Sequence, residues 1–220
     1  MTYVLVTRPL EASRQLADQL EALGLLPIVM PLYTFSACKS ALDLNSAWLT
    51  GKARKLAVFT SPRAVQFGLS HIPRDISDDL EFAVVGSATR AKLESCGYPV
   101  HLQASTGFTS EDLLQMPELA VEAGEAVIFC APGGREALEN GLRDLGWSVG
   151  MAMVYERLGL RPETTQIDRI SGAKDLLSVW TSISALKLAE EYLPKAVWTK
   201  ILNAPALVIS ARIQHYLQQL

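Results

Sequence analysis

Short apolar runs rich in Val, Ile and Leu alternate along the chain with amphipathic segments of helical period. This alternation is typical of β-α units arranged around a parallel sheet that is buried on both faces. We therefore expect an α/β protein with parallel sheets. The apolar runs predict strands at 3–6, 27–33, 56–59, 82–85, 99–102, 126–130, 149–155, 176–180 and 206–209.

Landmarks in the first half of the chain recur in the second half at a nearly constant spacing. Gly24 and Gly146 each follow an amphipathic segment, where a glycine commonly ends a helix, and they lie 122 positions apart. The Thr-Ser pairs that begin at Thr60 and Thr181 lie 121 positions apart. This spacing predicts an internal duplication, with chance similarity between β-α units as the alternative. Two full copies would exceed 220 residues, so the second copy is expected to be cut short or to close with one strand fewer.

Two apolar segments, 27–37 and 148–160, are long for single buried strands and occupy the same place in each repeat. Pro31 is expected to break the first segment and Gly150 the second. Each segment would then start inside a sheet and finish as a connector. Pairing between the connectors would make a two-stranded tie between two domains.

The composition excludes several classes of protein. The net charge of −3 does not favour nucleic acid or an anionic membrane as a partner. The chain opens without a secretory leader and has no apolar window near the roughly 18 residues of a membrane span, so a cytoplasmic protein is expected. Three cysteines and three histidines lie far apart, without metal-ligand spacing, so neither a metal site nor a disulfide framework is expected.

Small hydroxyl or glycine residues follow almost every predicted strand. Ligands of open α/β sheets bind beyond the carboxyl ends of the strands, where helices begin. Backbone N–H groups at these corners favour anions, and a nearby arginine adds recognition of carboxylate or phosphate. Ordinary helix capping explains any one corner equally well. Several corners facing one cleft would suit a ligand with several negative charges. The corner residues are Thr7, Arg8, Thr60, Ser61, Arg63, Gly86, Ser87, Thr89, Arg90, Gly133, Gly134, Arg135, Thr181, Ser182, Ser210 and Arg212.

Familiar catalytic motifs are missing from the sequence. There is no phosphate-binding GxxxxGK[ST] loop, no dinucleotide-binding GxGxxG and no GxSxG nucleophile elbow. Ser61 has no neighbouring histidine that could act as its base. Tyr155 ends a connector, where its phenol could face the cleft as a donor or pack structurally, and Tyr33 occupies the equivalent place.

The order of several short motifs resembles the uroporphyrinogen-III synthase family across nearly the whole chain. The motifs are LVTRP at the amino end, FTSPRAV at 59–65, VVGSAT at 84–89, TSEDLL at 109–114, GGRE at 133–136, LGW at 145–147 and VYER at 154–157. The resemblance implies two flavodoxin-like lobes: residues 1–33 with 157–220 in one, and 37–152 in the other. Connectors at 31–37 and 150–157 would join them.

The resemblance also implies an enzyme, a cyclising lyase that works without cofactor or metal. Its substrate would be hydroxymethylbilane, a linear tetrapyrrole with eight carboxylates. Loss of the hydroxyl would give an azafulvene that closes through a spiro intermediate, with inversion of ring D, to uroporphyrinogen III. The preceding pathway enzyme is the candidate for a transient protein contact of an otherwise monomeric protein.

By similarity, Tyr155 matches the tyrosine proposed to help the hydroxyl depart. The residues expected to bind substrate are Thr7, Arg8, Thr60, Ser61, Arg63, Gly86, Ser87, Thr89, Ser110, Thr181 and Ser182. The second Thr-Ser corner lacks the Pro-Arg that follows the first, and 210–212 departs from the glycine-and-hydroxyl turn of many members. A two-lobed binder of a small polycarboxylate or other anion, without catalysis, is the competing interpretation.

Overall fold

The computed structural model describes residues 1–38, 53–72, 80–104, 109–133 and 136–220. The chain divides into two compact units. Unit 1 comprises Met1–Phe35 and Arg157–Leu220, and unit 2 comprises Ser36–Glu156. The predicted corner residues Gly134 and Arg135 lie outside the described residues.

Unit 1 contains a parallel sheet whose order, within the described residues, is β11-β10-β1-β2. Its strands are β1 (Thr2–Val6), β2 (Leu26–Val29), β10 (Asp175–Trp180) and β11 (Ala206–Val208). Its helices are α1 (Leu10–Ala22), α7 (Thr164–Gly172), α8 (Ile183–Tyr192), α9 (Lys195–Leu202) and α10 (Ala211–Leu217). Gly24 has a φ of 76° directly after α1, which is the left-handed geometry predicted for a helix-ending glycine.

Unit 2 contains a five-stranded parallel sheet in the order β6-β5-β4-β7-β8 within the described residues. Its strands are β4 (Lys55–Phe59), β5 (Leu80–Val84), β6 (Leu102–Gln103), β7 (Glu125–Cys130) and β8 (Ser148–Met153). Its helices are α2 (Pro62–Gly68), α3 (Ser87–Ser95), α4 (Ser110–Leu114), α5 (Glu118–Val121) and α6 (Glu136–Asp144), and a 3-10 turn spans Leu69–His71.

The two connectors pair as predicted. Strands β3 (Tyr33–Ala37) and β9 (Tyr155–Gly159) form a two-stranded sheet. Leu160 N–H donates to Leu32 O and Cys38 N–H donates to Val154 O, a crossing pattern that makes the pair antiparallel. The predicted α/β class, with parallel sheets and a two-stranded tie, is confirmed.

The predicted break at Gly150 is wrong. Gly150 lies inside β8 and pairs with Val127, whereas the strand ends at Met153 and β9 begins at Tyr155. The backbone at Gly150 stays extended because β7 continues alongside it to Cys130 and supplies ladder partners. The first long segment divides between β2 and β3, with Pro31 between them.

Apolar clusters pack against both faces of each sheet, because alternate residues of a strand point to opposite sides. In unit 1, Leu5 and Trp180 belong to a large cluster on one face, while Val6 and Val179 belong to a small cluster on the other. The continuous apolar runs of the sequence therefore supply both faces of each sheet, as a buried parallel sheet requires.

The strand order of unit 1 matches the β5-β4-β7-β8 part of unit 2. Val58 pairs with Ala83 in unit 2, and Val179, 121 positions later, pairs with Leu207. Ala83 is 0% exposed, whereas Leu207 is 55% exposed. The difference arises because β6 lies beside β5, while no strand pairs with the outer edge of β11 among the described residues.

Among the residues that the structure describes, no helix has both the length and the apolar character that a membrane crossing requires.

Candidate active site

A pocket of about 320 Å³ lies at the carboxyl ends of β4, β5 and β7 in unit 2. Parallel strands place these ends at one edge of the sheet, so residues from separate corners come together there. Six of the twelve residues predicted from the sequence line this pocket. The lining residues are Thr60, Ser61, Val85, Gly86, Thr89, Ser110, Cys130, Ala131, Pro132, Gly133 and Tyr155.

Thr60 closes the end of β4 against β7. Its N–H and its Oγ1 both donate to Phe129 O, at 3.3 and 3.1 Å. Both donors of Thr60 are therefore used within the fold. Its side chain forms part of the pocket wall and fixes the position of the residue that follows.

Ser61 begins α2 and has extended backbone geometry. Its Oγ accepts a hydrogen bond from Ala64 N–H at 3.1 Å, which is ordinary N-capping, and Pro62 occupies the first helical position. Ser61 Oγ also lies 3.0 Å from Tyr155 Oη. The capping serine thus reaches across to the candidate catalytic tyrosine.

Tyr155 is the first residue of β9, and its ring stacks on Phe67 of α2 with a centroid separation of 5.9 Å. The stacking and the contact with Ser61 come from the same helix. Together they hold the phenol on the pocket wall.

The other polar residues of the lining come from the starts of two helices. Gly86 precedes α3, and Thr89 in its first turn is 3% exposed. Ser110 is the first residue of α4 and is fully buried. Thr109 and Asp112 cap α4 reciprocally, and the hydrogen bonds from Thr109 hold the pKa of the Asp112 carboxyl below its usual value.

The titratable side chains among the described lining residues are those of Cys130 and Tyr155. Burial, followed by the charges of Cys38 and Glu139, raises the pKa of the Cys130 thiol to about 11. Cys130 is therefore a neutral thiol near neutral pH. The pocket wall consists of neutral hydroxyl, amide and apolar groups, with one phenol.

Two predicted residues of unit 2 lie outside the pocket lining. Arg63 Nη1 donates to Gln66 Oε1 at 2.6 Å along the surface of α2. Ser87 is exposed at the first position of α3.

The four predicted residues of unit 1 follow the neighbouring parallel strands β1 and β10. Thr7 is buried and donates from Oγ1 to Val179 O at 3.0 Å, so its hydroxyl ties the two strand ends. Arg8 O accepts a hydrogen bond from Ser13 Oγ at 2.6 Å. Thr181 is half-buried, and Ser182 caps α8 by accepting from Ala185 N–H at 3.2 Å.

Several residues of the site were missed as site residues by reasoning from the sequence. Val85 and Cys130 line the pocket and Phe67 supports Tyr155, whereas the corner Ala131–Gly133 was noted for its glycine but was not among the residues expected to bind substrate. Their position directly after β5 and β7 was the available signal. Apolar and small residues are equally expected at the end of a buried strand, so the sequence did not distinguish residues that line the pocket from residues of the core.

Comparisons with known proteins cover nearly the whole chain. The protein-family model described as Uroporphyrinogen-III synthase HemD matches residues 14–220. Proteins named uroporphyrinogen-III synthase from Salmonella typhimurium and Escherichia coli are 26% and 27% identical to this chain, over 99% of it and 91% of each relative.

Solved structures of similar fold carry the same name. A uroporphyrinogen-III synthetase from Helicobacter pylori matches with a TM-score of 0.65 and 18% identity, over 100% of this chain and 89% of that one. A mutant uroporphyrinogen III synthase from Thermus thermophilus matches with a TM-score of 0.59 and 19% identity, over 100% and 88%. These likenesses show a shared fold.

Proposed function

Because the chain belongs to the uroporphyrinogen-III synthase family, we propose that it catalyses the reaction for which that family is named. Hydroxymethylbilane, the linear tetrapyrrole octacarboxylate, is cyclised to uroporphyrinogen III with loss of water. Ring D is inverted through a spiro intermediate, and the protein uses no cofactor. The activity is that of a cyclising hydro-lyase.

The observation that carries this proposal is the chemistry of the unit 2 pocket in a chain of this family. Its described lining offers a phenol but no carboxylate or imidazole, so strong acid-base catalysis has no supporting groups there. A reaction that needs one proton donor and a shaped, neutral wall fits these residues. Holding a flexible substrate folded, so that the spiro route precedes direct closure, is the main task of such a site.

We assign the first proton transfer to Tyr155. The C–O bond of the hydroxymethyl group breaks with its electron pair on oxygen, Tyr155 Oη supplies a proton, and water leaves. The lone pair of the pyrrole nitrogen forms the exocyclic double bond, which gives a cationic azafulvene beside a tyrosinate. The proton lost when the last pyrrole regains aromaticity, after ring closure, returns to the tyrosinate.

Carboxylates of the substrate accept hydrogen bonds, so residues with donors at the strand ends are proposed to bind them. In unit 2 these are Ser61, through its backbone N–H, and Gly86, Ser87, Thr89 and Ser110, with Arg63 as the cationic group and Thr60 as part of the wall. In unit 1 they are Arg8, Thr181 and Ser182, with Thr7 as the residue whose hydroxyl fixes the strand end.

The decisive experiment is an isomer assay. The purified protein is incubated with hydroxymethylbilane, and the products are oxidised and separated as type I and type III porphyrins. The type III isomer must exceed the amount formed in buffer or with heat-inactivated protein. If the type I isomer alone forms, at the spontaneous rate, the enzyme assignment is rejected and a non-catalytic binder of polycarboxylates takes its place.

We further propose that the protein works as a monomer in the cytoplasm. Cys38, Cys96 and Cys130 are free thiols, which suits a reducing compartment. Sedimentation of the purified protein across a range of concentrations tests the monomer, with a concentration-dependent larger species as the contrary result.

A further inference from the structure

The contact between Ser61 and Tyr155 joins residues 94 positions apart in the sequence. Ser61 cannot move freely, because Thr60 before it is bonded twice to Phe129 O and Pro62 after it starts α2. The Oγ···Oη separation of 3.0 Å is therefore set by the fold.

The hydrogen-bond capacity of Ser61 determines which of the two hydroxyls donates in this contact. A serine hydroxyl has one proton and two lone pairs. Ala64 N–H occupies one lone pair, at 3.1 Å. Within the described residues, Tyr155 Oη is the side-chain acceptor within reach of the remaining hydroxyl proton.

We propose that Ser61 is a positioning residue, which donates its hydroxyl proton to Tyr155 Oη and thereby directs the phenolic proton of Tyr155 into the pocket. This inference rests on the proposed function and deepens it. When Tyr155 gives up its proton to the departing hydroxyl, the hydrogen bond from Ser61 stabilises the negative charge that develops on Oη. Phe67 holds the plane of the same ring by stacking.

This role differs from carboxylate binding in its effect on the kinetics. A hydrogen bond that strengthens as charge develops on Oη affects the transition state more than substrate binding. Loss of Ser61 should therefore lower kcat and leave KM nearly unchanged. Loss of a group that binds a substrate carboxylate equally in the ground state and the transition state would instead raise KM.

The test compares Ser61→Ala, Ser61→Thr, Tyr155→Phe and the Ser61→Ala/Tyr155→Phe pair in the isomer assay. We expect Ser61→Ala to lower kcat about fivefold, the effect of losing one hydrogen bond of about 1 kcal/mol. Ser61→Thr keeps the hydroxyl and should return to within about twofold of wild type. In the Tyr155→Phe background, Ser61→Ala should have no further effect on kcat, because its acceptor is gone.

Ser210→Ala is the matched control for loss of a helix cap. Ser210 caps α10, which like α2 has seven residues, with the same extended geometry and with Ile213 N–H as donor. NMR of protein labelled with carbon-13 at tyrosine Cζ reads the contact without any turnover. The Tyr155 signal, identified by its absence in Tyr155→Phe, should shift in Ser61→Ala and stay in place in Ser210→Ala.

The outcomes separate this inference from the proposed function. A wild-type protein that forms no type III isomer would reject the function, and the role of Ser61 with it. If the wild type forms the type III isomer, the role of Ser61 alone is overturned by any of three results. These are a wild-type kcat in Ser61→Ala, a loss of kcat from Ser61→Ala that is as large in the Tyr155→Phe background as in the wild type, or an unchanged Tyr155 signal in Ser61→Ala.

Discussion

Replacing Glu81 with Gln should destabilise unit 2 at neutral pH and have little effect in acid. Arg54 forms a bidentate ion pair with Glu81, in which Nε donates to Oε1 at 2.8 Å and Nη2 donates to Oε2 at 2.7 Å. Arg54 Nη1 also donates to Glu118 O and Glu122 O, and the guanidinium lies 5.1 Å from the ring centre of Trp147. These other contacts keep Arg54 in place, so the substitution isolates the charge of residue 81.

The magnitude follows from the exposure of the pair. Charge-assisted hydrogen bonds contribute about 1.5–3 kcal/mol when buried. The side chains of Arg54 and Glu81 are 17% and 33% exposed, so solvent screening reduces the expected loss at pH 7 to about 1–2 kcal/mol. Glu94→Gln is the matched control, because its pair with Arg90 is about half exposed at both ends and should contribute about 0.3–0.5 kcal/mol.

The pH dependence has a definite sign. Hydrogen bonds from Arg54 hold the pKa of the Glu81 carboxyl below its usual value, and the same bonds raise the pKa of Arg54. A depressed carboxyl pKa adds stability that is complete above the unfolded pKa of about 4.3 and is lost as the pH falls through the folded value. The difference between wild type and Glu81→Gln should therefore shrink from pH 7 to pH 3.

Urea unfolding followed by pulsed hydrogen exchange and mass spectrometry measures this difference. Peptides covering β4 and β5 report unit 2 separately from unit 1. Equal destabilisation at pH 7 and pH 3, or a loss no larger than that of Glu94→Gln, would refute the reasoning.

Three further outcomes are expected. Tyr155→Phe should slow formation of the type III isomer by roughly a hundredfold or more, because it removes the proton donor; an unchanged rate would exclude Tyr155 from the reaction. Gly68→Ala should lower the free energy of unfolding by about 1–3 kcal/mol, because its Cβ would lie 2.7 Å from the Phe129 ring, and an unchanged urea midpoint would contradict this. Cys130, with its raised pKa of about 11, should react with iodoacetamide at pH 8 roughly a hundredfold more slowly than an ordinary thiol of pKa about 8.5. Exposed Cys96 is the internal reference, and equal labelling of the two would refute it.

Most strands could be predicted because a buried parallel strand imposes a continuous apolar run on the sequence. The helix ends at Gly24 and Gly146 were equally readable, since a left-handed backbone favours glycine locally. The wrong break at Gly150 has the opposite origin. Glycine permits a bend but does not require one, and the neighbouring β7 keeps the backbone of Gly150 extended.

The sequence predicted which types of residue lie at the candidate site better than it predicted what each residue does there. Thr60 and Thr7 stood out as hydroxyls at strand ends, yet in the structure both donate to backbone carbonyls of neighbouring strands. The lining residue Cys130 ends an apolar run and carried no polar signal. Which hydroxyls serve the fold depends on the partner strand, and the partner is set by strand order.

The sequence by itself determined the α/β class, the positions of most strands and the polar character of their ends, because hydrophobic period and capping chemistry act over a few neighbouring residues. Only the tertiary structure decided that Ser61 meets Tyr155 and that Phe67 stacks on the same ring. Those contacts depend on the pairing of β4 with β7, which leaves no local pattern in the chain, and on where the side chains at the start of β9 lie.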